Sequence, residues 1–446
     1  MASIFKEMAL LDKLGGIPLQ PESIRWLLTP KCLKAELLTS IAKAKQAIYI
    51  SALYLEDDEA GREILSALMK AKAENPALDV KVLVDFHRAR RGLIGHKGDS
   101  GNYLMYRKVI AEAEHPIEIL GVPVKSREFM GVLHLKGFVI DDTVIYSGAS
   151  LNNIYLHQNE KYRFDRYHVI ESAELARSMR QMVQTYLVED VAVCSLTQKK
   201  DCEQLPDKID IRSLKTRLSK AHYEFEQTRI GNRITPVVGL GRKKNKLNKL
   251  VVDLVAQSKE SLFICTPYFN PPYILARALA KHLRDGKRID IVVGDKTAND
   301  FYIPPEEDFS TIGALPYMYE QSLRKFAKRQ QWAIENGQLN IHLWKDGINS
   351  YHLKGMSADS RRHLLTGSNL NPRAWSLDLE NGLLLHDETG CWQEQFETEQ
   401  SHILQHTDRL YHYSQIDTLN SYPAPVRKIM TRIRRLKADF LLRRIL

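Results

Sequence analysis

The sequence predicts an α/β protein built from two tandem units of one kind, each an α/β/α arrangement around a mixed, largely parallel sheet. The units are related by a pseudo-twofold and followed by a basic amphipathic helix. Three observations carry this expectation. A strand–helix–strand pattern occurs twice, a short polar motif recurs at a fixed separation, and the end of the chain is strongly basic. At 446 residues the chain exceeds what one ordinary core holds, so two domains are the natural division. The expected units are residues 1–205 and 206–415, with 416–446 as the tail.

In order along the chain, residues 33–47 read as a helix, and 47–55 (AIYISALYL) as a strand rich in β-branched and aromatic residues. Residues 58–74 place Ile64, Leu65, Leu68 and Met69 at helical spacing and end at Asn75-Pro76. Asp79–Asp85 (DVKVLVD) is then a buried strand. Strand, helix, strand in this order makes parallel neighbours joined by a right-handed crossover. Residues 195–209 (SLTQKKDCEQLPDKI) are polar, charged and proline-marked, as a linker is, and 210–226 read as a helix beyond it. The basic stretch 243–249 follows Gly239-Leu240-Gly241 but lacks the lysine-serine or lysine-threonine ending of a phosphate loop. A solvated surface loop and an anion site both remain open there. The second unit repeats the first: 247–258 helical, 261–269 (SLFICTPYF) a strand, 274–284 a helix, and Arg288–Gly294 a strand. Tyr54 near the end of its strand corresponds to Tyr268.

The tail, 426–446, holds eight Arg/Lys and one acid, Asp439. On a helical wheel Val426, Ile429, Met430, Ile433, Leu436 and Phe440 share one face, while Arg427, Lys428, Arg432, Arg434 and Arg435 occupy the other; Lys437 and Arg444 interrupt the apolar side. Two readings fit. One is an interfacial helix drawn to anionic lipid by roughly 1 kcal/mol per well-placed cation. The other is a terminal helix packed on the body with its charges in water.

Hydrophobic residues at 44% and charged residues at 26% are ordinary for a soluble globular protein, but a formal charge of +10 favours anionic partners. The five cysteines (Cys32, Cys194, Cys202, Cys265, Cys391) are odd in number and show no C-x-x-C spacing, so neither a disulfide framework nor a zinc knuckle is indicated. Scattered thiols fit the cytoplasm. The opening MASIFKEMALLDKLGG lacks the order of a secretory signal, and no apolar run approaches the ~18 residues that span a bilayer. The expected location is cytoplasmic, peripherally associated with the inner face of the cell membrane.

The recurring motif is H-x-K-x-x-x-x-D. His134, Lys136 and Asp141 return 218 positions on as His352, Lys354 and Asp359 (134 to 352, 136 to 354, 141 to 359). Each copy leads to a small-residue turn, Ser147-Gly148-Ala149-Ser150 and Thr366-Gly367-Ser368-Asn369. On a strand, residues i and i+2 share a face, so each histidine and its lysine are expected to point into one site. Histidine serves as nucleophile or proton shuttle near neutral pH, and lysine is a fixed charge for a phosphoryl oxygen. Two facing pairs make a pocket for a phosphodiester: one imidazole attacks phosphorus and the other protonates the leaving oxygen. Asp141 and Asp359 are expected to brace the motif.

This paired motif resembles the signature of the phospholipase D superfamily. The resemblance gives both units a phospholipase D-like fold and a Gly-Ser-x-Asn turn, with Ser150 standing where the first copy would have Asn. It also implies a downstream acid that hydrogen-bonds the motif histidine, Asp165 for the first copy and Glu380 for the second, in the manner of a triad acid. Beyond the motifs, LYLEDD, VLVDFHRARRG, YSGASLNNIYLH, ICTPYFN, VVGDKTANDFYIP, TGSNLNPRAW and VRKIMTRIRRL resemble one branch of the superfamily over nearly the whole length. That branch is the bacterial phosphatidyltransferases acting on CDP-diacylglycerol and L-serine.

The resemblance implies a two-step transfer through a phosphatidyl-histidine. His134 is favoured as nucleophile and His352 as acid and base, with the near-symmetric motifs leaving the roles interchangeable. The candidate catalytic set is His134, Lys136, Asp141, Asp165, His352, Lys354, Asp359 and Glu380. Candidates for substrate contact are Ser150, Asn152, Asn369, Asn371, Arg88, Arg91, Arg163, Arg166 and Lys296. His87, Arg90, Asp295, Asn299 and Asp300 lie in the same strand-end loops, where α/β proteins place ligands. No cofactor or metal is expected, because the lysines supply the charge a metal would bring. Cardiolipin synthesis, phospholipid hydrolysis and nucleic-acid phosphodiesterase activity are the rival readings. Nucleic acid is not the expected partner, since the charge sits in the tail rather than along a groove with stacking aromatics. An anionic membrane surface is the expected partner of the tail.

Overall fold

The computed structural model describes residues 10–91, 101–198, 204–304 and 306–435. Cys202, the middle of the expected linker, and Leu436, Lys437, Asp439, Phe440 and Arg444 of the expected tail lie outside the described residues.

Two mixed sheets form the body. The first runs Cys194–Ser195, Glu118–Val122, Asp79–Asp85, Ala47–Ser51, Phe138–Ile140, Thr143–Ser147, Tyr167–Glu171, Ile24–Leu27. The second runs Ile17–Pro18, Arg233–Leu240, Leu379–His386, Arg362–Thr366, Gly355–Ala358, Ser261–Thr266, Arg288–Gly294, Leu339–Trp344, Thr407–Leu410, with Leu133–His134 attached beside Leu379–His386. Read from opposite ends, the two have the same strand order, as a pseudo-twofold requires.

The sequence pattern located the first two parallel strands of each centre correctly, Ala47–Ser51 beside Asp79–Asp85 and Ser261–Thr266 beside Arg288–Gly294; the structure adds a third parallel neighbour to each, Glu118–Val122 and Leu339–Trp344. The expectation of largely parallel sheets is corrected, because most other neighbours are antiparallel. The reason lies in the motif. Its continuation folds into a hairpin, Phe138–Ile140 to Thr143–Ser147, and a two-residue connection can join only antiparallel strands.

Each centre is covered by capped helices. Thr29 and Asp58 cap Pro30–Lys43 and Glu59–Glu74 by accepting from the Cys32 and Gly61 amides, and Asn245 caps Lys246–Gln257. The basic stretch 243–249 is therefore loop only up to Asn245 and helix from Lys246. Leu33, Leu37, Ile41, Ile64, Leu65 and Leu68 pack on Ile48, Ile50, Val80 and Val82.

The opposite faces of the sheets meet each other. Leu135, Val139 and Val144 from the first half share one buried cluster with Leu365, Leu379, Leu383 and Leu385 from the second. Ile17–Pro18 pairs with Arg233–Leu240, so the start of the chain completes the far sheet and residues 1–205 are not self-contained.

The helix Ala424–Arg435 turns Val426 and Met430 into a cluster with Tyr317 and Tyr422, leaving Arg427, Lys428, Arg432, Arg434 and Arg435 exposed. The first turns of its apolar stripe thus face protein, as the reading of a helix packed on the body has it.

Candidate active site

Each motif begins against a strand of the other half and ends in the sheet of its own half; in the second copy that first pairing is a separate two-stranded sheet. Leu133–His134 pairs in parallel with the second sheet, His134 opposite Glu380, while Phe138–Ile140 belongs to the first. Ser350–Tyr351 pairs in parallel with Arg163–Phe164, the His352 amide donates to the Phe164 carbonyl (2.8 Å), and Gly355–Ala358 belongs to the second sheet. The expectation that histidine and lysine sit on one continuous strand is corrected. The strand stops at His134 in the first copy and at Tyr351, just before His352, in the second, and the glycine after each lysine bends the chain, with φ of +117° at Gly137 and +131° at Gly355. At Gly355 a Cβ would lie 2.6 Å from the Leu364 carbonyl oxygen, so no side chain fits.

This crossing exchanges the acids. His134 Nδ1 lies 2.9 Å from both Glu380 oxygens. His352 Nδ1 lies 3.4 Å from Asp165 Oδ2, and Lys354 Nζ donates to that oxygen at 3.1 Å while touching His352 Nδ1. The expectation that each motif uses the acid of its own copy is corrected: each uses the acid of the other half. The cause is the strand pairing, which sets each motif histidine beside the other half's acid strand. Asn381, next to Glu380, fixes this geometry by accepting from the Lys136 amide (2.8 Å) and donating to the Lys136 carbonyl (2.9 Å).

Lys136 is held by the small-residue turn of its own copy. Lys136 Nζ donates to the Ala149 carbonyl at 3.2 Å and lies 3.5 Å from Ser150 Oγ. A Cβ at Gly367 would sit 2.6 Å from Lys136 Cγ, and one at Gly148 would sit 2.6 Å from Asp165 Oδ2. Asp141 and Asp359 adopt left-handed φ (+49° and +55°) at their hairpin turns. Asp141 accepts from the amides of Lys45, Gln46 and Ala47, and Asp359 from those of Lys259, Glu260 and Ser261. Both tie the hairpin to the start of the central strand and so brace the motif, away from the histidines.

Burial governs the charges. Both histidines are 7% exposed, both motif lysines 1%, Asp165 2% and Glu380 1%. Burial, then the neighbouring lysines, hold His134 and His352 well below the usual histidine value, although Asp300 opposes this at His352. Burial and Lys354 push Lys136 down to about 7, and burial lowers Lys354 as well. Burial raises Glu380 well above the carboxylate range. His134 feels Lys354 and His352, and His352 feels Lys136, so both pairs contribute to one field. A neutral imidazole with Nδ1 on a carboxylate presents Nε2 as a nucleophile, and the lysines form a positive wall for phosphoryl oxygens.

The remaining candidates divide. Arg163 reaches the site: its Nε is 2.9 Å from Asp300 Oδ1, and Asp300 Oδ2 is 3.8 Å from His352 Nε2. Arg88, Arg91 and Arg166 are held by Glu56, Glu128 and Glu399, and Lys296 by Glu320 and Asp417. His87 Nε2 contacts the Lys125 carbonyl (2.7 Å) and Arg90 lies over Phe86. Asp295 accepts from the Thr297 amide, and Asn299 from that of Phe301. Asn152 and Asn371 accept from the amides of Tyr155 and Ala374, each closing the turn after its motif. Asn369 keeps a buried Oδ1 with no hydrogen-bond partner.

Tyr155, Asn381 and Glu399 complete the site without having been singled out in the sequence. Tyr155 meets His352 Nδ1 at 2.7 Å. The asparagine turns place Tyr155 opposite Ala374 in the repeat, so no duplication marks it. Asn381 and Arg166 follow the two acids directly, and that difference between halves was the one signal in the sequence.

The family model described as cardiolipin synthase, PLD-like domain matches residues 37–187 and again 251–403. A CDP-diacylglycerol–serine O-phosphatidyltransferase of Haemophilus influenzae is 47% identical over 98% of this chain and 97% of its own length. Another from Escherichia coli is 45% identical over 99% of this chain and 98% of its own length. The crystal structure of phosphatidylserine synthase from Haemophilus influenzae covers 98% of each chain at 46% identity with a TM-score of 0.94.

Proposed function

The chain belongs to the CDP-diacylglycerol–serine O-phosphatidyltransferases of the phospholipase D superfamily, and from this premise we propose the reaction it runs and the part each motif takes. It transfers the phosphatidyl group of CDP-diacylglycerol to the hydroxyl of L-serine, giving phosphatidylserine and CMP. In the first step His134 Nε2 attacks the phosphatidyl phosphorus, the bond from phosphorus to the CMP oxygen breaks, and His352 gives that oxygen its proton. In the second step His352 takes the proton of the serine hydroxyl as its oxygen attacks phosphorus and the His134–phosphorus bond breaks. Lys136 and Lys354 hold the phosphoryl oxygens throughout.

One observation supports this division of labour above the rest. The described side-chain contact of His134 is at Nδ1 with Glu380, whereas Nε2 of His352 faces a carboxylate, Asp300, 3.8 Å away. A ring steered only at Nδ1 suits a nucleophile. One flanked by acids on both sides suits a proton carrier. The diphosphate of the substrate adds negative charge beside His352, and that charge raises its pKa so that it loads the proton it must deliver.

Residues 1–205 and 206–415 are read as the two catalytic units and 416–446 as the tail, with the start of the chain completing the second unit's sheet. The enzyme works at the inner face of the cell membrane. Among the described residues no helix is long and apolar enough to cross a membrane, and the exposed cations of Ala424–Arg435 provide attraction to anionic lipid. Purified protein with CDP-diacylglycerol in mixed micelles tests the reaction: CMP and phosphatidylserine should rise together on adding L-serine. CMP without phosphatidylserine in the presence of serine would overturn it.

A further inference from the structure

Nothing in the histidine–lysine pairs tells L-serine from glycerol or water. Beside His352, however, lies a largely buried ion pair for which the donor step has no use. Arg163 and Asp300 have side chains 14% and 10% exposed, with Nε to Oδ1 at 2.9 Å. Tyr268 donates to Asp300 Oδ2 at 2.7 Å, and the Arg163 guanidinium lies 4.7 Å over the Tyr155 ring. Asp300 Oδ1 is buried without a well-directed hydrogen bond, although Arg163 is within ion-pair range. The described side-chain polar contacts of Arg163, to Asp300 and to Ser350 Oγ (3.3 Å), run through Nε. Its two Nη groups are the edge that binds a carboxylate in bidentate fashion.

The pair exists on one side only. The strand pairings set Arg163 and Asp378 in equivalent places, and Asp378 spends its Oδ1 on the Val132 amide. The asymmetry therefore sits next to the histidine that handles the acceptor.

We propose that Arg163 and Asp300 form the receptor for the zwitterionic end of L-serine. Asp300 takes the α-ammonium and the Nη edge of Arg163 takes the α-carboxylate. With the ammonium on Asp300, the hydroxyl of the same 1,2-amino alcohol reaches His352 Nε2, only 3.8 Å from that carboxylate. Tyr155 and Tyr268 fix the pair in place, Tyr155 by lying under the Arg163 guanidinium and Tyr268 by its hydroxyl on Asp300. Glycerol and water lack both charges, so they reach the phosphatidyl-histidine without being held. The inference rests on the transfer to serine proposed above.

The test reads how the phosphatidyl-enzyme divides between serine and water, because that ratio is set after the donor step. With CDP-diacylglycerol and fixed L-serine, the ratio of phosphatidylserine to phosphatidic acid should fall about 10- to 100-fold in Arg163→Gln and in Asp300→Asn, the range expected for losing a charged hydrogen bond. Acceptor analogues assign the two contacts. Arg163→Gln should erase the preference for L-serine over serinol, which lacks the carboxylate. Asp300→Asn should erase the preference over 3-hydroxypropionate, which lacks the ammonium. Unchanged ratios and preferences would overturn the inference. If either variant makes too little product to measure, saturation-transfer NMR of L-serine on the intact protein decides: wild-type affinity overturns the proposal, and lost affinity with serinol binding retained in Arg163→Gln upholds it. A wild-type enzyme that forms no phosphatidylserine would instead refute the transfer itself.

Discussion

Glu380 is the acid on which His134 depends, although the two are far apart in sequence and come from opposite halves. Glu380→Gln keeps the shape but weakens acceptance of the Nδ1 proton, so the rate of CMP release should fall by roughly 10² to 10⁴. An unchanged rate of CMP release in single-turnover mixing would show that Glu380 has no part in the first step. The charge states give a pH profile with a definite sign. Lys136, pushed down to about 7, is cationic below that value and loses its charge as the pH rises through it. kcat/KM for CDP-diacylglycerol, which reports the free enzyme, should therefore decline above about pH 7. His134 is held below the usual histidine value, so its neutral form persists and the acid limb should lie below ~6.5. A profile flat through pH 9 would contradict the lysine assignment. At this scale the sequence was readable wherever a residue was duplicated. His134, Lys136 and Asp141 announced themselves through their copies, whereas Tyr155, opposite Ala374, had no copy to announce it.

Between residue and molecule stand the elements that hold the site. Arg166 follows Asp165, and its buried guanidinium is clasped by Glu399 on the helix Gln393–Leu404. Removing one partner of a buried pair leaves the other charge stranded, so Glu399→Gln should cost about 3–5 kcal/mol in denaturant unfolding. Burial works against the Glu399 charge, but Arg166 and then His168 hold its pKa well below the carboxylate range. The contribution is thus complete above the unfolded value and lost as the pH falls through the folded one. A loss under 1 kcal/mol in the variant would show the clasp to be incidental. The tail is the element where the sequence pattern and the packing part ways. Periodicity put Val426 and Met430 on one face but left open what that face meets, and both face Tyr317 and Tyr422. The proposed membrane attraction then rests on the exposed cations. Changing Arg427, Lys428 and Arg432 together to Glu should sharply weaken sedimentation with anionic liposomes at low salt while leaving neutral liposomes unaffected. Equal binding by the variant would assign the tail to packing alone.

At the scale of the whole molecule the two halves are one catalytic body. They share a hydrophobic cluster, and each threads a motif strand against a strand of the other. The duplication and the parallel centres were legible because long apolar strands and helical periods are strong signals. The crossing was not, because it rests on paired strands of only two residues each, too short to leave a pattern. The antiparallel majority was hidden for a related reason, since the short strands after each motif carry too few residues to show a period. Because of the crossing, neither half holds a complete site: His134 needs Glu380, and His352 needs Asp165. The most direct test is to react the enzyme with CDP-diacylglycerol labelled in the phosphatidyl phosphate, without serine, and map the labelled peptide under neutral to alkaline handling that spares the nitrogen–phosphorus bond. The label is expected on His134, absent in His134→Ala and chased into phosphatidylserine by L-serine. Label on His352, or label persisting in His134→Ala, would contradict the assignment of His134 as nucleophile.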